Sequence, residues 1–144
     1  MDILTKFAEK LNDLMKENDL NAERLGKLSG ITSQQIRRYA HGKDIYLSTL
    51  LRLVDYFKCS LDYISSRSNT YIDFTPKECP PFMEWLPTVI KECGKTTYQI
   101  FEYTQIKSSY FAGWRKGSEP LLSSLVILAD YLDCSLDRLI GRDR

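Results

Sequence analysis

The sequence predicts an all-α protein built from two tandem five-helix domains, and three observations carry that prediction. No stretch of the 144 residues keeps up the apolar–polar alternation of a half-buried strand. The segment VDYFKCSLDYI, Val54 to Ile64, returns as ADYLDCSLDRLI, Ala129 to Ile140, displaced by 75 positions. Setting each residue against the one 75 further on aligns Phe7 with Phe82 and reaches the C-terminus without a gap. Phe7/Phe82, Leu11/Leu86, Ile31/Ile106, Ser33/Ser108, Gly42/Gly117, Leu50/Leu125 and Leu53/Leu128 are identical pairs. The period is too long, and the copies too few, for a solenoid.

The first domain is drawn over residues 1–67, a linker over 68–81, and the second domain over 82–144. In the first copy Ile3, Leu4, Phe7, Leu11, Leu14 and Met15 recur at helical spacing. Asn21 is the expected N-cap of a second helix through Leu28 that turns Leu25 inward, and Gly30 supplies the left-handed exit. A third helix runs from Ser33 to Ala40 and stops before Gly42. Leu50, Leu53, Val54 and Phe57 mark a fourth, and Ser60 with Asp62 opens a short fifth that carries Leu61 and Ile64. The linker, SNTYIDFTPKECPP, ends rich in proline and reads as partly extended. Tyr71, Ile72 and Phe74 are too apolar for a free tether, so part of it is expected to pack on a domain.

Composition narrows the function classes. The 43% apolar content and mixed charge are those of a soluble globular protein. No apolar run approaches the roughly 18 residues of a membrane span, and MDILTKFAEK does not resemble a signal peptide, so a cytoplasmic protein is expected. Four cysteines stand in no metal-binding spacing, and Cys59 and Cys134 are expected to be packed thiols. With one histidine, no paired catalytic motif and no phosphate loop, neither an enzyme nor a metal, cofactor or small-molecule site is expected.

The charge is distributed unevenly. Net charge is +1, yet Arg24 through Lys43 holds five cations and no acid, and Tyr103 through Ser118 repeats the pattern with Lys107, Arg115 and Lys116. Each copy therefore carries a cationic window on a more acidic body. In both, the window covers the third helix.

Two helices parted by a glycine turn have the spacing of a helix-turn-helix. NAERLGKLSGITSQQIRRYAHG resembles the DNA-binding element of the lambda-repressor-like, or XRE, family. TTYQIFEYTQIKSSYFAGWRKGSEP followed by LADYLDCSLDRLIGR resembles the same family in its tryptophan, its Lys-Gly pair and its closing segment. The resemblance implies double-stranded DNA as partner and a transcriptional regulator, with repression the expected direction. It implies that Ser33, Gln34 and Arg37 face bases, with Gln35 and Arg38 at the margin. Gln suits adenine and Arg suits guanine, because each side chain can make two hydrogen bonds to that base edge.

Backbone contacts are expected from the start of the second helix at Asn21 and Ala22, and from Thr32, His41 and Lys43. Many relatives have glutamine where Ala22 stands, which leaves that contact to main-chain N–H groups. Ile36 and Tyr39 should be buried. In the second copy Lys107, Ser108, Ser109, Ala112, Lys116 and Ser118 are the DNA candidates, although that helix is bland. Gln105 replaces the turn glycine, Phe101 sits where the family has alanine and must tilt the helix crossing or move outward, and Trp114 should pack as Tyr39 does. This copy either grips backbone or has become an interaction domain. The family usually dimerises, so a homodimer is expected, with the second copy as candidate dimer face. The alternative for the whole chain is a protein-interaction module that keeps the fold without binding DNA.

The repeated VDYF/ADYL sentence reads as structural. Ser60 and Ser135 are suited to cap the last helix, and Asp62 and Asp137 to sit at its electropositive N-terminus.

Overall fold

Side-chain caps set most of the helix starts in the computed structural model, which describes residues 2–75 and 78–143. The chain divides into two units, Met1–Pro76 and Lys77–Arg144. Among the described residues the first contains α1 (Ile3–Glu17), α2 (Ala22–Ser29), α3 (Ser33–Ala40), α4 (Leu47–Phe57) and α5 (Leu61–Ile64). The second contains α6 (Phe82–Glu92), α7 (Thr97–Tyr103), α8 (Ser108–Arg115), α9 (Leu122–Leu132) and α10 (Leu136–Leu139). The described residues form no extended strand, and none of their helices is long and apolar enough to cross a membrane.

In the first unit the Asp2 carboxylate accepts from the Thr5 N–H at 2.8 Å. That bond holds the Asp2 carboxyl below its ordinary range. The Asn21 side chain accepts from Arg24 N at 2.8 Å, Thr32 from Gln35 N at 3.2 Å, and Ser60 from Tyr63 N at 3.0 Å. Each bond satisfies one of the orphan donors at a helix start. Gly30 leaves α2 at φ +79°, the left-handed exit anticipated for it. Phe7, Leu11, Leu25, Ile36, Ile45, Leu50, Leu53, Val54 and Ile64 are fully buried. These residues come from all five helices and the α3–α4 loop, so a single core fixes α3 from behind.

Three contacts hold α3 and the turn that leads into it. The Asn12 amide on α1 donates to the Ala40 carbonyl at the end of α3, 3.0 Å away. A Cβ on Gly26 would stand 2.7 Å from the Ile31 carbonyl oxygen and 3.4 Å from Ser33 N, so the bare backbone there lets α2 press against the turn. Arg52 on α4 donates to the Gly30 carbonyl at 3.2 Å.

In the second unit the residues 75 positions on from Asn12, Gly26 and Arg52 are Pro87, Phe101 and Ile127. Pro87 lies inside α6 and has no amide to offer. The Phe101 ring lies half-buried, edge to face with Phe111 at 5.0 Å between centroids. The close backbone approach of α2 to α3 is missing between α7 and α8, the consequence expected of a ring at that crossing. Trp114 packs among Phe82, Tyr110 and Phe111, as foreseen. Helix α7 starts with a full capping box between Thr96 and Gln99, whereas Lys107 at the start of α8 makes no side-chain cap.

Segment 71–74 packs on the first unit. The Tyr71 hydroxyl and the Phe74 N–H both donate to the Lys58 carbonyl, each at 3.0 Å, and the Tyr71 ring meets Tyr63 edge-on. Ile72 remains exposed. The four cysteines are thiols, with Cys59 fully buried and Cys134 half-buried.

The repeated sentence proves structural through a contact that its letters did not announce. Besides the Ser60 and Ser135 caps, the Asp62 carboxylate pairs with Arg67 at 2.5 Å and Asp137 with Arg142 at 2.9 Å. In each unit the main-chain N–H of that arginine also donates to the carbonyl of its aspartate, 2.8 Å away. Each acid stands in the first turn of its helix, as expected, and also latches the chain that follows the helix.

Candidate nucleic-acid interface

Eight residues of α3 rise only about 12 Å, so the helix can show few side chains to a partner. Ile36 and Tyr39 are buried, which anchors one side in the core. Burial raises the Tyr39 hydroxyl above the ordinary tyrosine range, against the pull of a Thr49 hydrogen bond and the nearby Arg38 charge. The opposite side carries Gln34, Arg37, Arg38 and His41, spaced three and four apart and all exposed. The structure thus brings these four together. Ser33 lies toward the flank and is half-buried, and Gln35, though exposed, falls on the other flank.

The helix end is closed tightly. His41 Nδ1–H donates to the Arg37 carbonyl at 2.7 Å, and the main chain of Gly42 and Lys43 turns back onto Tyr39 and Arg38. This leaves the other ring nitrogen of His41 for a partner. Lys43 is exposed just beyond. On the other side of the turn Asn21 and Thr32 are exposed, but their oxygens are engaged in capping. Either side chain can still donate, Asn21 from its amide and Thr32 from its hydroxyl. Ala22 is half-buried and offers main chain alone.

Sequence reasoning missed Glu23. Its carboxylate, in the first turn of α2, forms an ion pair with the Arg37 guanidinium, and both side chains remain about half exposed, 55% and 52%. The signal was available: Glu23 is the acid immediately before the cationic window. Asn12 and Arg52 were missed as well, because a polar side chain reaching a distant carbonyl has no periodic signature.

In the second unit Lys107, Ser108, Ser109, Ala112, Lys116 and Ser118 are all exposed. Beside α8 a groove of about 380 Å³ is lined by Ser109, Tyr110, Gly113, Trp114 and Ser118, among others. Hydroxyls and aromatic rings dominate that wall, which also includes the Glu119 carboxylate. Tyr98 and Tyr103 on α7 are 72% and 70% exposed, which is a different surface chemistry from that of α2. Among the described residues no cluster of histidine, cysteine and carboxylate side chains could hold a metal ion.

Residues 10–64 match the family model of the Cro/C1-type HTH DNA-binding domain. The match runs from within α1 through α5, so it contains the whole of α2 and α3 and every first-unit contact residue considered above. It supports an XRE-like helix-turn-helix in the first unit and a DNA-binding regulator in general, and it does not reach the second unit. No curated protein and no solved structure matches the chain.

Proposed function

We propose that the chain is a sequence-specific DNA-binding regulator, acting as a repressor, whose first unit lays α3 in the major groove. Gln34 and Arg37 read base edges, with Arg38 and Gln35 at the margins and Ser33 against the near wall. Asn21, Ala22, Thr32, His41 and Lys43 hold phosphates on either side. One observation carries this reading: α3 is buried on one side, tied at both ends, and presents Gln34, Arg37, Arg38 and His41 together on the other. Side chains that donate and accept, on a rigid short helix, are what base-edge recognition requires.

Selection of binding sites from random duplexes tests it. Arg37→Ala and Gln34→Ala should each weaken binding to the selected site, by about 1–3 kcal/mol, and leave binding to mixed-sequence DNA nearly intact. Equal loss on every duplex would reassign both residues to phosphate and end the base-reading assignment.

The second unit has another part. At the positions of Asn12, Gly26 and Arg52 this unit has Pro87, Phe101 and Ile127. The exposed residues of its third helix are Ser108, Ser109, Tyr110, Ala112 and Arg115, with Lys107 and Lys116 at its ends. Lys107, Lys116, Ser108, Ser109 and Ser118 suit contact with the DNA backbone, which carries no sequence information. The exposed Tyr98 and Tyr103 favour a second role for this unit, as the face of a homodimer or of another protein contact.

A further inference from the structure

We infer that Glu23 is a positioning residue that sets base preference, by holding the Arg37 guanidinium at the angle from which it meets guanine. This rests on the assignment of Arg37 as a base reader. Glu23 and Arg37 stand on different helices, and their pairing spans the turn between them. The distance across that span is fixed by main chain, since at Gly26 there is no room for so much as a methyl group between α2 and the Ile31 carbonyl. A carboxylate on one Nη2 hydrogen leaves the guanidinium's other donors for whatever lies against α3. Arginine otherwise has many rotamers, and ordering it before contact removes part of the entropy that contact would cost.

The internal repeat supports the pairing independently. At the two corresponding positions the second unit has Tyr98 and Ala112, so carboxylate and guanidinium are absent together. Glu23 has a further effect. Its negative charge, next to the phosphate held at Asn21 and Ala22, weakens backbone attraction on every duplex alike and leaves more of the discrimination to Arg37.

The test uses the full chain, the duplex recovered by random-pool selection, and single-base variants of that duplex. Glu23→Gln and Glu23→Ala should lower the preference for guanine at the position read by Arg37, by about three- to tenfold. Binding to mixed-sequence DNA should hold or rise. In an Arg37→Ala background the same changes at Glu23 should have no effect on preference. The pair is exposed, so the melting transition should hardly move, and Glu23→Gln keeps the side chain's size. Unchanged preference in both Glu23 variants, with Arg37→Ala still lowering it, would overturn this inference alone. An equal loss with and without Arg37 would make Glu23 a base contact in its own right and overturn it too. If Arg37→Ala itself leaves preference intact, the base-reading assignment fails and takes this inference with it.

Discussion

At the residue scale, the two aspartate–arginine latches are alike in sequence position and unlike in surroundings. The Asp62–Arg67 pair is 19% exposed on both sides, whereas Arg142 is wholly buried and Asp137 nearly so, at 4%. Removing the acid of a buried pair leaves a desolvated charge behind, which costs about 3–5 kcal/mol, while a partly hydrated arginine recovers water. Asp137→Asn should therefore lower the denaturant midpoint much more than Asp62→Asn, as chemical unfolding of the two variants would measure. Gly26 is the other residue where a single atom matters. Gly26→Ala places a methyl group 2.7 Å from a main-chain oxygen that cannot swing aside. A loss of about 1–3 kcal/mol is expected, read in the same unfolding experiment. Neither feature was legible beforehand. The aspartates stood out as repeated letters, but the arginines five residues on are outside the repeated sentence, and a glycine in mid-helix looks merely unfavourable until its neighbour is known.

At the scale of the elements, helix placement was largely legible because caps and apolar spacing are local. Asn21, Thr32, Ser60 and Ser135 all accept the N–H three residues on, and Gly30 turns out of α2 as its type suggests. Residues 33–40 were drawn as a helix and are one. The candidate reading face was half legible. Spacing identified which residues of α3 are buried, and so which point out, but it could not reveal that Ser33 sits to one side or that Arg37 already has a partner across the turn. Those facts depend on how α2 crosses α3, which no single helix encodes. The difference between α3 and α8 was legible in the outward letters. Its cause was legible only at Phe101, whereas the parts played by Pro87 and Ile127, on two other helices, were not.

At the scale of the whole molecule, a net charge of +1 places the electrostatic footprint in the cationic windows and not in the protein's overall charge. Association should therefore fall with salt in proportion to the few phosphates contacted. Lys43→Ala should reduce the log–log salt slope by about 0.9 and weaken binding to all duplexes alike, the reverse of the pattern for Arg37→Ala. Lys116→Ala separates the two roles open to the second unit. The slope drops by a similar step if α8 rests on phosphate, and stays put if that unit serves protein contact. Titrating binding from low to moderate ionic strength measures both.

The latches also bear on how such a chain can change. Each unit fastens the end of its last helix with an acid and a base of its own. The acid and base that fasten α5 both lie in the first unit, and those that fasten α10 both lie in the second. Inheritance can then tinker with one half while the other keeps its vocabulary, which is the freedom that a duplicated fold needs before its copies take up separate trades.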